Sequence, residues 1–100
     1  METWRTNREF FGQKVKSEIG RFYDDFVITR VLVIDEPAFD QWVLDIIAFH
    51  KNDSDAFHAP GIIISQEMVL DVRPMTLWNM IYNMVETGYN DLLLRTRSGE

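Results

Sequence analysis

The chain has 100 residues, 46% of them hydrophobic, and a formal net charge of −6 at pH 7. It contains no cysteine, which excludes disulfide bonds, thiolate nucleophiles and cysteine-bound zinc or iron–sulfur sites. A chain of this length forms one domain, and folding buries about 65% of its unfolded surface, which is enough for independent folding.

The sequence also predicts where the protein acts. Its first residues lack the apolar run of a signal peptide, and no stretch approaches the length of apolar sequence that a membrane span requires. Together with the absence of cysteine, this predicts a soluble cytoplasmic protein that has no membrane partner.

The charge is distributed unevenly along the chain. Residues 24–71 contain ten acidic and two basic residues, which gives −8, whereas residues 1–23 carry +2 and residues 72–100 carry 0. The acidic middle would repel a phosphate backbone, so direct nucleic-acid binding is not expected. Acidity of this kind is typical of a soluble surface, and it also suits a partner that has a basic groove.

The first predicted helix begins with the spacing of a capping box, in which Thr6 and Glu9 each bond to the other's backbone. Apolar side chains then recur on one helical face, at Phe11, Val15, Ile19, Phe22 and Phe26. The pattern predicts a helix from residue 6 to a point between residues 19 and 25. Gly20 would either end this helix or weaken it from within.

A strand and a second helix are predicted next. Residues 26–34 are β-branched and apolar at both alternating sets of positions, which favours a central strand covered on both faces. Asp35-Glu36-Pro37 is typical of a helix start. Helical spacing then unites Phe39, Trp42, Val43, Ile46, Ile47 and His50, which predicts an amphipathic helix over 36–50.

Residues 51–60 are polar and turn-forming, and they are predicted to be the longest and most mobile loop. Period-two alternation over 62–72 predicts one long strand, or two shorter strands bent near Ser65 and Gln66.

A third helix is predicted over 75–87, where Gly88 would close it as the C′ residue. For residues 90–97 a short terminal strand is favoured over a helical continuation, and residues 98–100 are expected to fray. The predicted fold is therefore a single α+β domain over residues 1–100, in the order α-β-α-β-α-β. Three helices would pack on a three- to four-stranded sheet of open strand order.

No motif for nucleotide binding, hydrolysis or calcium binding occurs in the sequence. The strongest candidate for chemistry is the 50–58 segment, where His50, His58, Asp53 and Asp55 could hold a divalent metal or perform acid–base catalysis. The competing explanation is that His50 packs in the apolar stripe, which leaves His58 with two ordinary loop aspartates. We therefore predict no cofactor, no metal and no enzymatic activity, and keep a small metal-dependent or acid–base enzyme as the alternative.

The predicted helix over 75–87 is more apolar than a single packing layer requires. At 100° per residue its apolar side chains span roughly 220°; they are Met75, Leu77, Trp78, Met80, Ile81, Tyr82, Met84 and Val85. Either the helix runs through the middle of the fold, or its second face meets a partner. The sequence leaves both arrangements open.

The favoured hypothesis is a non-enzymatic protein–protein interaction module: a small acidic inhibitor, an adaptor or a homo-oligomer. It would bind a protein partner, or itself, through the apolar helix, an acidic surface or both. The residues expected to contact the partner are Met75, Trp78, Met80, Tyr82, Met84, Asp24, Asp25, Asp40 and Asp45. A structural subunit of a larger assembly, such as a viral particle, is the third hypothesis.

Overall fold

A computed structural model of the protein describes residues 3–97. In chain order the elements are a 3-10 turn (Thr3–Arg5), α1 (Arg8–Phe22), β1 (Phe26–Glu36), a second 3-10 turn (Pro37–Phe39), β2 (Gln41–His50), β3 (Ala56–Ser65), α2 (Gln66–Asp71) and α3 (Pro74–Arg97). The strands form one antiparallel sheet in the order β1-β2-β3, and α1 and α3 pack on one of its faces.

This arrangement confirms a small, mixed α+β domain with three helices and a three-stranded sheet. The predicted order α-β-α-β-α-β is wrong, because the strands follow one another as a meander between α1 and the last two helices. The described residues contain no fourth strand. The predicted frayed tail, residues 98–100, lies outside them.

Helix α1 begins at Arg8 because Asn7, and not Thr6, is its N-cap. The Asn7 Oδ1 atom accepts hydrogen bonds from the backbone N–H groups of Glu9 (3.0 Å) and Phe10 (3.3 Å), which satisfies two donors that have no partner inside the helix. Gly20 lies inside the helix and is exposed, so it does not end it.

The predicted strand 26–34 is confirmed, and it continues to Glu36. Its predicted central position is wrong: β1 is an edge strand with helices on one face only. Apolar residues at both alternating sets of positions therefore do not prove that both faces are covered. A register shift lies between Ile28 and Arg30, where the Thr29 hydroxyl donates to the carbonyl oxygen of Ile47 at 2.9 Å.

The predicted helix over 36–50 is wrong. Only Pro37–Phe39 is helical, and Asp40 then adopts the left-handed conformation (φ 49°) that turns the chain back along β1. The segment satisfies two periods at once, because it also contains a strict alternation that buries Trp42, Leu44, Ile46 and Ala48. Pairing with strands on both sides selects the period of two.

The predicted strand over 62–72 is displaced towards the N-terminus. Strand β3 already begins at Ala56, so the predicted loop over 51–60 is reduced to residues 51–55. The strand ends at Ser65, next to the predicted bend, because Ser65 is the N-cap of α2 and its Oγ accepts from the backbone N–H of Met68 at 3.1 Å.

Helix α3 passes through Gly88 and continues to Arg97, so the predicted C′ role of Gly88 and the favoured terminal strand are both wrong. A Cβ atom at Gly88 would lie 3.2 Å from the Ala59 Cβ and 3.3 Å from the Phe57 ring. Gly88 therefore serves close packing of α3 on β3. The helical continuation over 90–97 is the alternative that the structure confirms.

The core lies between the helices and the face of the sheet that they cover, called here the inner face. Its largest fully buried side chains come from the three helices, β2 and β3: Phe11, Val15, Ile19, Leu44, Ile46, Ile64, Val69, Leu77, Trp78, Ile81 and Val85. Aromatic rings join distant parts of the chain, with the Trp4 and Trp78 centroids 5.2 Å apart. None of the helices in the described part of the chain has the length and hydropathy of a membrane span.

Candidate interaction surfaces

The apolar circumference of α3 is used mainly inside the protein. Trp78 is 1% exposed, and Met80 and Tyr82 are partly buried against the core. Met75 and Met84 remain 43% and 42% exposed, but nine residues separate them, so they lie on opposite sides of the helix at 100° per residue. The helix therefore presents two separate methionines to solvent and no second apolar stripe over its predicted partner-binding residues.

Two of the predicted contact residues bind each other. The Tyr82 hydroxyl donates to the Asp25 carboxylate at 2.7 Å, and the Tyr82 ring stacks on Tyr23 with centroids 4.0 Å apart. Burial and the hydrogen bond to Asp25 raise the pKa of Tyr82 well above its usual value. This contact ties α3 to the turn between α1 and β1.

The other predicted acidic contacts do not form one patch. Asp24 lies at the start of β1, 3.7 Å from Lys51, whereas Asp40 lies beyond its far end, roughly 35 Å away along an eleven-residue strand. Asp45 lies in the middle of the sheet, where its Oδ1 accepts from the backbone N–H of Gly61 at 3.1 Å.

The two histidines of the enzyme hypothesis lie on opposite faces of the sheet. His50 stacks on Tyr89 on the inner face, with ring centroids 5.0 Å apart. His58 pairs in register with Ile47 on the other face and lies 3.8 Å from the Asp45 carboxylate. Among residues 3–97 no three histidine, aspartate or glutamate side chains come together as a metal site.

One apolar surface was not predicted from the sequence. The face of the sheet opposite the helices, called here the outer face, carries seven apolar side chains larger than alanine: Val27, Leu32, Ile34, Val43, Ile47, Phe49 and Ile63. Ile34, Val43 and Ile63 are in register across the three strands. In the sequence these residues alternate with residues that are buried on the inner face. Because β2 was predicted to be a helix, this alternation was not recognised as a strand face.

A cleft borders the outer face along the exposed edge of β1. It has a volume of about 570 Å³ and lies between α1 and residues 30–34 of β1. Three basic side chains and one acidic side chain line it: Arg8, Lys16, Arg30 and Glu9. This cleft is called here the edge cleft.

Comparison with known proteins adds no assignment: the chain matches no family model, no curated protein and no solved structure. The outer face and the edge cleft are therefore the features from which a function is argued. They adjoin one another, because Leu32 and Ile34 belong to both.

Proposed function

We propose that the protein is a non-enzymatic protein–protein interaction module that binds a partner protein through the outer face. The observation that carries the proposal is the exposure of this face: Val27, Leu32 and Ile34 are 40–43% exposed and Ile63 is 59% exposed. Contiguous apolar surface of this kind on a small domain marks an interaction site. Its side chains stand on paired strands, so a partner would meet them in a fixed arrangement.

The polar groups of the outer face support the same proposal. Asp45 already accepts a hydrogen bond from the Gly61 N–H, and the Gln41 side chain donates to the Glu36 carboxylate at 2.7 Å. A partner that covers the face would thus bury these polar groups with hydrogen bonds already made, which lowers the cost of their desolvation.

The test compares one charge placed on the outer face with the same charge placed elsewhere. We predict that Ile63→Asp abolishes partner binding, whereas Leu94→Asp does not, because Leu94 is similarly exposed (63%) but lies on α3. Both variants should keep the circular dichroism spectrum of the unchanged protein. Quantitative mass spectrometry after cross-linking in the source cells measures which proteins each form retains.

Equal recovery of the same proteins by all three forms would contradict the proposal. Light scattering on the purified protein tests whether a second copy of the chain or a larger assembly covers the outer face instead. A dimer that Ile63→Asp dissociates would show that a second copy covers the outer face, and a large closed oligomer would favour the assembly-subunit hypothesis.

A further inference from the structure

We infer that the edge cleft takes an extended, acidic segment of the partner protein, which pairs with β1 as a fourth strand. This inference rests on the proposed function, because it takes the occupant to be a protein, and it adds the chemistry of the segment that is bound. Addition of a strand to an exposed sheet edge is a general mode of peptide recognition.

The two edges of the sheet differ in their ability to accept a strand. Strand β3 contains Pro60, which has no N–H to donate, and Gly61 with φ 68°, next to a register shift. These are the features that protect an edge from pairing. Strand β1 has eleven residues with neither proline nor glycine, and its own register shift lies between Ile28 and Arg30, so the stretch from residue 30 to residue 34 offers an uninterrupted edge.

The hydrogen-bond pattern identifies the groups that the incoming strand would meet. The Lys51 N–H donates to the carbonyl oxygen of Asp25 at 2.8 Å, which fixes the odd-numbered residues of β2 as those that bond to β1. In an antiparallel pair such residues alternate, and the register then gives β2 the backbone groups of Arg30, Leu32 and Ile34. The N–H and C=O groups of Val31 and Val33 consequently point away from β2, towards the edge cleft.

Helix α1 forms the second wall of the cleft and comes close to the strand at Gly12. A Cβ atom there would lie 3.2 Å from the Val33 side chain and 3.7 Å from the Val31 carbonyl oxygen. Gly12 is buried, so glycine at this position lets α1 pack closely against β1. Residues 30–34 give this part of the edge a length of roughly 17 Å, which matches a five-residue extended segment.

The charge of the cleft selects an acidic occupant. Arg8, Lys16 and Arg30 outnumber Glu9, so the cleft carries +2 in a chain whose net charge is −6. Within residues 3–97 none of these three bases forms an ion pair with a carboxylate. Carboxylates of an incoming segment would supply the missing partners and would speed its approach.

The geometry also specifies the pattern of the segment. Side chains of an extended strand point alternately to the two faces of the sheet. On one side they would meet Arg8 and Lys16 of α1, and on the other they would continue the apolar row of Leu32 and Ile34. The expected ligand therefore alternates acidic with β-branched or aliphatic residues over about five positions.

A random octapeptide display library, selected against the full chain, tests this expectation. We expect enrichment of peptides in which Asp or Glu alternates with Val, Ile or Leu. Failure to enrich any sequence, or enrichment of basic or non-alternating peptides, would overturn the inference.

Two matched pairs of variants then locate the bound peptide, with the most enriched peptide as the probe. Val31→Pro removes an outward-facing N–H and leaves the bonds to β2 intact, so affinity should fall about tenfold or more; Val31→Ala removes side-chain atoms but keeps the N–H and serves as the control. Lys16→Glu should weaken binding by a similar factor, whereas Arg21→Glu, an exposed position of α1 outside the cleft, should not. Affinity that is unchanged in Val31→Pro and Lys16→Glu would refute the edge cleft as the site.

The outer-face variant separates this inference from the proposed function. If Ile63→Asp abolishes partner binding while no acidic peptide binds the edge, the proposed function stands and this inference is wrong. If peptides bind as expected but Ile63→Asp has no effect on partner binding, the outer-face proposal is wrong instead. A dimer of the unchanged protein that Val31→Pro dissociates would make the occupant a second copy, which also overturns the inference.

Discussion

Both faces of the sheet carry aliphatic and aromatic side chains, and they differ in what lies against those side chains. Along β3, Ile62 and Ile64 are 2% and 0% exposed on the inner face, and Ile63 between them is 59% exposed on the outer face. On the inner face α1 and α3 supply Phe11, Trp78 and Ile81 as a second layer, whereas no described element packs on the outer face.

This difference shows that the composition of a strand alone does not determine whether helices cover both of its faces. An apolar strand face has the same sequence signature whether it meets the protein's own helices or a partner. The number of helices decides the outcome: within residues 3–97, α1 and α3 suffice for one face of three strands. The apolar side chains of the outer face therefore stay exposed to solvent and are available to a partner, which is the physical basis of the proposed function.

Truncation of neighbouring isoleucines on opposite faces of the sheet tests this difference most directly. We predict that Ile64→Ala lowers the free energy of unfolding by about 2–5 kcal/mol, because it leaves a cavity in the core. Ile63→Ala should cost the isolated protein less than about 1 kcal/mol. Urea denaturation of the two variants measures both values, and similar losses would mean that the outer face is also packed.

Two glycines show the same contrast between a packed position and a solvent-exposed one: Gly88 packs against β3, and Gly20 faces solvent. The expected changes in stability are smaller than for Ile64→Ala. Gly88→Ala should destabilise the protein by about 1–3 kcal/mol, because the new Cβ would press on β3 at Ala59, where backbone would have to move. Gly20→Ala should stabilise it by about 0.5–1 kcal/mol, since a Cβ there meets nothing within 4 Å and alanine favours the helix. Thermal unfolding distinguishes them, and stabilisation by both substitutions would disprove the close contact of α3 with β3.

A hydrogen bond at the edge of the inner face, from Tyr82 to Asp25, gives a further test. Tyr82→Phe should cost about 1 kcal/mol at neutral pH through the lost hydrogen bond. The pKa of Tyr82 is raised in the folded state, so above pH ~10 the unfolded chain loses this proton first and the free energy of unfolding falls as pH rises.

That alkaline decline should be smaller in Tyr82→Phe than in the unchanged protein. Unfolding free energies measured by urea titration between pH 8 and pH 11 provide the check. If the free energy of unfolding fell equally with pH in both proteins, ionisation of Tyr82 would make no contribution to the alkaline loss of stability.

The sequence allowed correct prediction of those elements whose pattern fits only one period. Helix α1 has a single apolar stripe, and six of the eleven residues of β1 are β-branched, so both elements were predicted within a few residues. The segment that became β2 satisfies helical and strand spacing together, and Asp35-Glu36-Pro37 resembles a helix start. The segment becomes a strand because β2 pairs with a strand on each side. Such pairing depends on residues distant in sequence and is not visible within the segment.

The candidate surfaces were harder to predict than the elements, for the same reason. The arc of apolar residues on α3 was recognised, but whether Trp78 faces the core or a partner depends on the sheet against which the helix packs. The outer face requires β2 to be a strand, and the edge cleft requires β1 to be an edge. No residue pattern within one segment contains that information.

The meander has a consequence for how the chain folds. Because strand order equals chain order, both strand pairings join neighbouring segments, and such local contacts favour fast formation of the hairpins. Helix α1 precedes the strands in sequence and α3 follows them, and the two helices meet where Phe11 lies against Trp78, with ring centroids 6.3 Å apart, so their docking brings together more distant segments. Until the helices dock, hairpins formed from these strands expose both apolar faces of the sheet to water, and chains in this condition are open to aggregation and to capture by chaperones.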